Sequence, residues 1–403
     1  MNQEESKTIK LKEYIALKKE LHEKILNFLD DEEDSQYTFD QLIQIVSLQN
    51  ITQNRNEFRE FINLIKKIYS NHHRSQEFQN KIIQIILHYS KEIKQTFPNL
   101  EIFQLFENYK MILSLLIQNK IVKIDKTVAK YITLKDTEEI FYFFPKIKKY
   151  IDTKTSNKIM KDILTKYPDM SHKTFKKKCE IGENDSYLCQ LIRDDNVQEF
   201  ISYVNKSNIP LDSRIKNSIF ETNPLFKENI EITIIRYAAF FGSIQIIKYL
   251  VLNNVPLKKS LWIYAIHSNN AELIHYLEEN NVKPPDKIRI NTGILLTRKY
   301  FKGNFTCPYG ESIRCHHKSI TRYIEDNYLE DKSNTKTNDF LENFIINSYN
   351  YEYFPNRITD QYSFFSNLCL FDYCKLVEFF FKEKGLKSSA SVKRFIILIR
   401  LIL

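Results

Sequence analysis

The sequence predicts an all-α protein in which a helical N-terminal region is followed by a row of stacked helix-turn-helix units. Three observations carry this. No glycine occurs before Gly182, and only Pro98, Pro145 and Pro168 interrupt that stretch, so little in it breaks a helix. Apolar residues recur at helical spacing through the same stretch. Residues 233–254 then combine small, large and turn-forming side chains in a pattern that returns 27 residues later.

In chain order, the first helical stripes are Ile25, Leu26, Phe28 and Leu29, then Phe58, Phe61, Ile62, Ile65 and Ile68. Ile82, Ile83, Ile86 and Leu87 follow, and then Ile102, Phe103, Leu105 and Phe106. Asp and Asn clusters at 30–34 and 52–56 divide them, which predicts short helices stacked as hairpins. Phe97-Pro98-Asn99 and Tyr167-Pro168-Asp169 each end a helix, because proline disfavours helical geometry in the residue before it. A charge run and the first glycine, within 174–185, set a boundary between a helical domain at 1–180 and the repeats at 185–388.

The clearest unit spans 233–259. Ala238 and Ala239 let two helices approach closely, Gly242 permits the turn between them, and Ile246, Ile247, Leu250 and Val251 fill the seam to the next unit. The copy at 260–286 puts Ala265 on Ala238 and Asn269 on Gly242, and Asn is the substitute that best tolerates a left-handed turn. A third copy at 307–331 places His316 on Gly242 and His317 on Ser243, after an insertion at about 288–306. Leu188 to Leu211 and Leu368 to Phe381 are weaker copies. Residues 222–229 and the insertion are the expected loops. An aromatic helix is expected from Asn338 until Phe354-Pro355 breaks it. Residues 389–403 form an apolar tail that packs on the array, meets a partner, or continues into further repeats.

The unit resembles the ankyrin repeat, whose skeleton is T-P-L-H-x-A-A-x-x-G-H, then V-V, L-L and a closing G. Thr233, Ala238, Ala239, Gly242, Ile246, Ile247, Leu250 and Val251 match it, while Ile234, Arg236, Ser243 and Asn254 replace the proline, both histidines and the last glycine. With its helical first half, the chain is similar to the large ankyrin-repeat family of trichomonad protists, in which a helical region of unassigned function precedes the array. The resemblance implies binding of another protein through hairpin tips and inner helices, with no reaction, cofactor or small-molecule substrate. The insertion departs from the family pattern and interrupts the groove. Candidate partner contacts are Phe240, Phe241, His267 and Ser268 before the inter-helix turns, and Lys258, Lys259, Lys283 and Asp286 at the tips. Packing against the adjacent repeat is the competing reading for both phenylalanines.

Composition and motifs bound the rest. At 43% hydrophobic and 27% charged residues, the 403-residue chain has the make-up of a foldable protein. The charged opening MNQEESKTIK predicts no secretory signal, and no apolar run approaches the roughly 20 residues that span a bilayer. Six cysteines are too sparse for a disulfide framework, which suggests reduced thiols in the cytoplasm, with the nucleus also open. Glycine-rich phosphate loops, G-x-S-x-G and H-E-x-x-H are absent, so no catalytic residue is expected. Cys307-x7-Cys315-His316-His317 has zinc-ligand types, but its spacing fits no standard finger and turn residues explain it, so no metal is expected. His72-His73 reads as a polar loop with no further histidine near it in sequence. The net charge of +9 invites a nucleic-acid alternative using Lys173, the 176–178 lysine run and the insertion. Lysines interleaved with acids favour an ordinary solvated surface, and no membrane partner is expected.

Overall fold

The computed structural model describes residues 3–31, 34–167, 172–227, 232–285, 288–289, 305–329, 339–354 and 361–378. Among these the regular structure is helical, apart from an antiparallel pairing of Ile288–Arg289 with Phe305–Thr306 that closes the base of the insertion. Helices α1 (Gln3–Asp30), α2 (Ser35–Leu48), α3 (Arg55–Asn71) and α4 (Gln76–His88) open the chain. Helices α5 to α11 follow at Ser90–Thr96, Asn99–Phe106, Lys110–Gln118, Lys126–Thr133, Thr137–Ile147, Thr153–Lys166 and His172–Ile181. The polar clusters between helices act as N-caps: Asp34, Asn54, Ser75, Asp125, Asp136 and Asp152 each accept a bond from a backbone N–H of the first turn. Pro98 separates α5 from α6 as expected, and no described helix is long and apolar enough to cross a membrane.

The second half contains α12 (Tyr187–Arg193), α13 (Val197–Lys206), α14 (Pro224–Lys227), α15 (Ile234–Phe241) and α16 (Ile244–Leu252). It continues with α17 (Leu261–Ser268), α18 (Ala271–Glu279), α19 (Pro308–Arg314), α20 (Lys318–Tyr328), α21 (Asp339–Ser348) and α22 (Gln361–Leu370). Asp195, Gly242, Asn269, His316, Tyr349 and Asp372 all turn the chain with positive φ, and each donates its N–H to the carbonyl three residues back. In five of the six the following residue bonds five back, the Schellman closure of a helix. Helices α12, α15, α17, α19 and α21 pack successively, and Ala238 and Ala265 are fully buried on neighbouring members of that row.

Two cores result. One spans the helices from Cys189 to Ile324, and the other fills the N-terminal helices but also takes in Ile346, Tyr349, Tyr351, Phe364, Leu368 and Tyr373. The last part of the chain thus folds back onto the first. Arg59 reaches Asp372 at 3.3 Å, Asn63 donates to the Tyr349 hydroxyl at 3.0 Å, and Glu60 accepts from the Lys375 N–H at 2.8 Å.

Two sequence expectations need correction. The loop expected at 222–229 begins as buried structure, because Glu221 accepts from the N–H groups of Asn184 and Asn223 and Thr222 bonds the Gly182 carbonyl at 2.7 Å. The aromatic helix ends at Ser348 rather than at Phe354, since Tyr349 takes the left-handed conformation and closes it. Residues 389–403, and most of the insertion, lie outside the described residues.

Candidate functional site

The expected partner contacts divide by burial. Lys258, Lys259 and Lys283 are exposed, and Phe241 and Ser268 are half-buried. Phe240 and His267 are buried and cannot meet a partner. The Phe240 ring packs on Phe226 at 4.5 Å and on His267 at 5.1 Å, and His267 bonds Glu311 in the next unit. For Phe240, packing is therefore the reading that holds. Asp286 lies outside the described residues. A cleft of about 230 Å³ opens beside the tips, lined by Arg214, Arg236, Pro256, Lys258 and Asp212.

The densest chemistry lies elsewhere. Six of the nine histidines, His22, His72, His73, His267, His316 and His317, gather where α1 and the end of α3 meet α17 and the turn between α19 and α20. His22 arrives from α1, and the His72-His73 pair from the residues that terminate α3. His316 holds the left-handed turn between α19 and α20, which places His317 at the start of α20. His22 Nε2 lies 2.9 Å from His316 Nδ1, and the rings of His72 and His317 are 4.3 Å apart. The His73 ring lies 4.6 Å from that of His72 and 5.9 Å from that of His317. The pair at 72–73 is therefore not an isolated polar loop. His317, whose ring lies against both, is 244 or more positions away in the chain, where sequence spacing cannot show it.

A cavity of about 340 Å³ opens over this cluster, with His22, Asp30, Asn269, His316, His317 and Arg322 among its walls. His72 Nδ1 lies 2.7 Å from the Cys315 carbonyl and its Nε2 lies 2.9 Å from Asp30 Oδ1. Two imidazole nitrogens of the cluster have no hydrogen-bond partner, His73 Nδ1 and His317 Nε2.

Burial dominates the electrostatics. It pushes His22 down to about 3 and His73 to about 4, and neighbouring histidines add to the effect. His316 and His317 are held well below the ordinary imidazole value for the same reasons, and burial lowers His267 despite its bond to Glu311. Burial works to raise Asp30, but the bond from His72 and the charges of His72, His73 and Lys81 outweigh it and the carboxyl is lowered. These five rings are thus uncharged at neutral pH, the form that offers a lone pair to a metal or a proton.

The Cys307-x7-Cys315-His316-His317 string does not converge. Cys307 caps α19 by accepting from the Gly310 N–H, His316 faces His22, and His317 faces His72 and His73. Cys315 is fully buried, burial pushes its thiol far up, and it lies with His267 and Glu311. Glu311 is already bonded to His267 at 2.6 Å and to Arg314 at 2.5 Å, which makes that trio a closed network. Comparisons with protein families, characterised proteins and solved structures found no match for this chain.

Proposed function

We propose that the second half is a degenerate ankyrin-type array and that the protein is a non-catalytic interaction scaffold binding an acidic segment of a partner protein along its hairpin tips. The observation that carries this reading is the exposure of Lys258, Lys259 and Lys283 on the loops that follow α16 and α18, beside a cleft whose wall includes Arg214 and Arg236. The equivalent burial of Ala238 and Ala265, each four residues before a left-handed turn residue, supports the repeat assignment. A rigid row of units presenting charged tips favours complementary charge and speeds encounter.

A nucleic-acid reading has one observation in its favour. A groove of about 920 Å³ among the N-terminal helices is rimmed by Lys120, Lys123, Lys146, Lys148 and Lys149 with Tyr150. The lysine run is weaker support, because Lys178 pairs with Asp185 at 2.6 Å.

The test compares the full chain with its Lys258→Glu/Lys259→Glu/Lys283→Glu variant in quantitative crosslinking and capture, with nuclease and across a salt series. The scaffold reading expects at least tenfold loss of an acidic protein partner and an unchanged circular dichroism spectrum. Equal capture by both chains sinks it. Capture abolished by nuclease, with a steep salt slope, transfers the function to nucleic acid.

A further inference from the structure

We infer that His72, His73 and His317, with Asp30, form a binding site for a divalent transition metal of the zinc class that fastens the N-terminal helices to the repeat array. The three histidines place one donor atom each within 4.8 Å of one another, and they come from two distant stretches of chain. Three imidazoles and one carboxylate are a donor set that zinc accepts in tetrahedral geometry, with Zn–N near 2.0–2.1 Å.

Hydrogen bonding around His72 points the same way. The Cys315 carbonyl can only accept, so His72 Nδ1 carries the hydrogen. Its Nε2 then faces Asp30 Oδ1 across 2.9 Å, and a bare imidazole nitrogen and a carboxylate oxygen are both acceptors. Only a cation shared between them, a proton or a metal, makes that approach favourable. A ring N–H held by a backbone carbonyl, with the other nitrogen directed at the ion, is also the usual support of a metal-ligating histidine. His73 Nδ1 and His317 Nε2 have no hydrogen-bond partner, and His317 is 3% exposed. Leaving a buried polar nitrogen unsatisfied is destabilising, and coordination removes that cost where a ring turns its open nitrogen to the ion. His22 and His316 bond each other and His267 bonds Glu311, so they line the site without supplying its ligands.

Asp30 ends α1, His72 and His73 end α3, and His317 begins α20. The ion would therefore bridge helices of one core to a turn of the other. Such a site fastens, because its three imidazoles come from both halves of the chain and Asp30 adjoins them through His72.

The test uses the full, tag-free chain stripped with chelator. It is titrated with Zn²⁺ by calorimetry, and with Co²⁺ for the visible bands of tetrahedral coordination. One equivalent should bind, the bands should appear, and hydrogen exchange at residues 66–73 should slow. His317→Gln and His73→Gln should each lose at least about tenfold in affinity, whereas His275→Gln, an exposed surface histidine, should not change it. His73 lies at the rim, so His73→Gln decides the matter if the buried substitution prevents folding. Absence of stoichiometric binding by the native chain, or equal binding by native chain and His73→Gln, overturns the site.

Discussion

The turns at Gly242 and Asn269 and those at His316 and Tyr349 share one backbone conformation yet meet opposite surroundings. Asn269 is exposed and Gly242 half-exposed, whereas His316 and Tyr349 are 3% and 1% exposed beneath the N-terminal helices. A non-glycine residue in the left-handed region costs roughly 1–2 kcal/mol, and burying a large apolar side chain contributes about 1.5–3 kcal/mol, less for a polar ring such as imidazole. Where nothing covers the turn, Gly or Asn is the economical choice. Where α1 and α3 cover it, a ring that fills the interface outweighs the strain. Tyr349 stacks on Tyr373 at 4.3 Å, and its hydroxyl accepts from Asn63 and donates to the Phe371 carbonyl. One part of the turn surface has thus become an internal interface.

The largest expected difference between covered and open turns comes from acid. His22, His73, His267, His316 and His317 have lowered folded values, so below about 6.5 the unfolded chain binds protons that the folded chain refuses. Their stabilisation is fully present above 6.5 and falls as pH drops towards the folded values of about 3 for His22 and 4 for His73. Each ring contributes about 1.4 kcal/mol per unit of displacement. Glu60, raised by burial to about 7, and Glu221, raised to about 8, work in the opposite direction above 4.5. Five rings against two carboxyls predict a net loss between pH 6.5 and 4.5. It should appear in urea midpoints taken across that range, with exchange rising first at His72 and His316. A flat profile, or equal loosening at Gly242, would dissolve the contrast.

Next in size is Glu311→Ala. The carboxylate is fully buried between the buried His267 and the half-buried Arg314, and removing it leaves both without their shared acceptor. A loss of about 2–3 kcal/mol in urea unfolding is expected, because the partly exposed Arg314 regains some hydration. Because Glu311 joins the α17 and α19 layers beside the covered turns, a loss below 1 kcal/mol would mean that Arg314 finds solvent and the network contributes little.

Much of the fold was legible because helices are local. The caps, the Pro98 break and the turns at Gly242 and Asn269 follow from residue types within a few positions. What stayed hidden is what depends on the chain returning to itself. His72-His73 and His316-His317 are separated by 243 or more positions, and only folding brings them together. Two His-His pairs in a chain with nine histidines were a signal that could have been joined, but each pair alone has an ordinary explanation. Phe240 and His267 were misassigned for a related reason. The positions before a repeat turn face a partner only if the chain itself does not cover them, and here Phe226 and Glu311 do.

The finest test exchanges the turn residues themselves. Replacing His316 by Gly relieves the left-handed strain but removes a fully buried ring and its bond to His22, so a net loss of about 1–2 kcal/mol is expected. Asn269→Gly has less strain to relieve, since Asn tolerates the left-handed region, and almost no burial to lose, because Asn269 is exposed at φ 53. The entropy that glycine adds to the unfolded chain, about 0.5–1 kcal/mol, offsets the relief, so the net change should stay within about 0.5 kcal/mol. Chemical unfolding of the two variants side by side measures the difference directly. If His316→Gly is as silent as Asn269→Gly, the covering helices contribute nothing at that turn and the choice of histidine there has no packing basis.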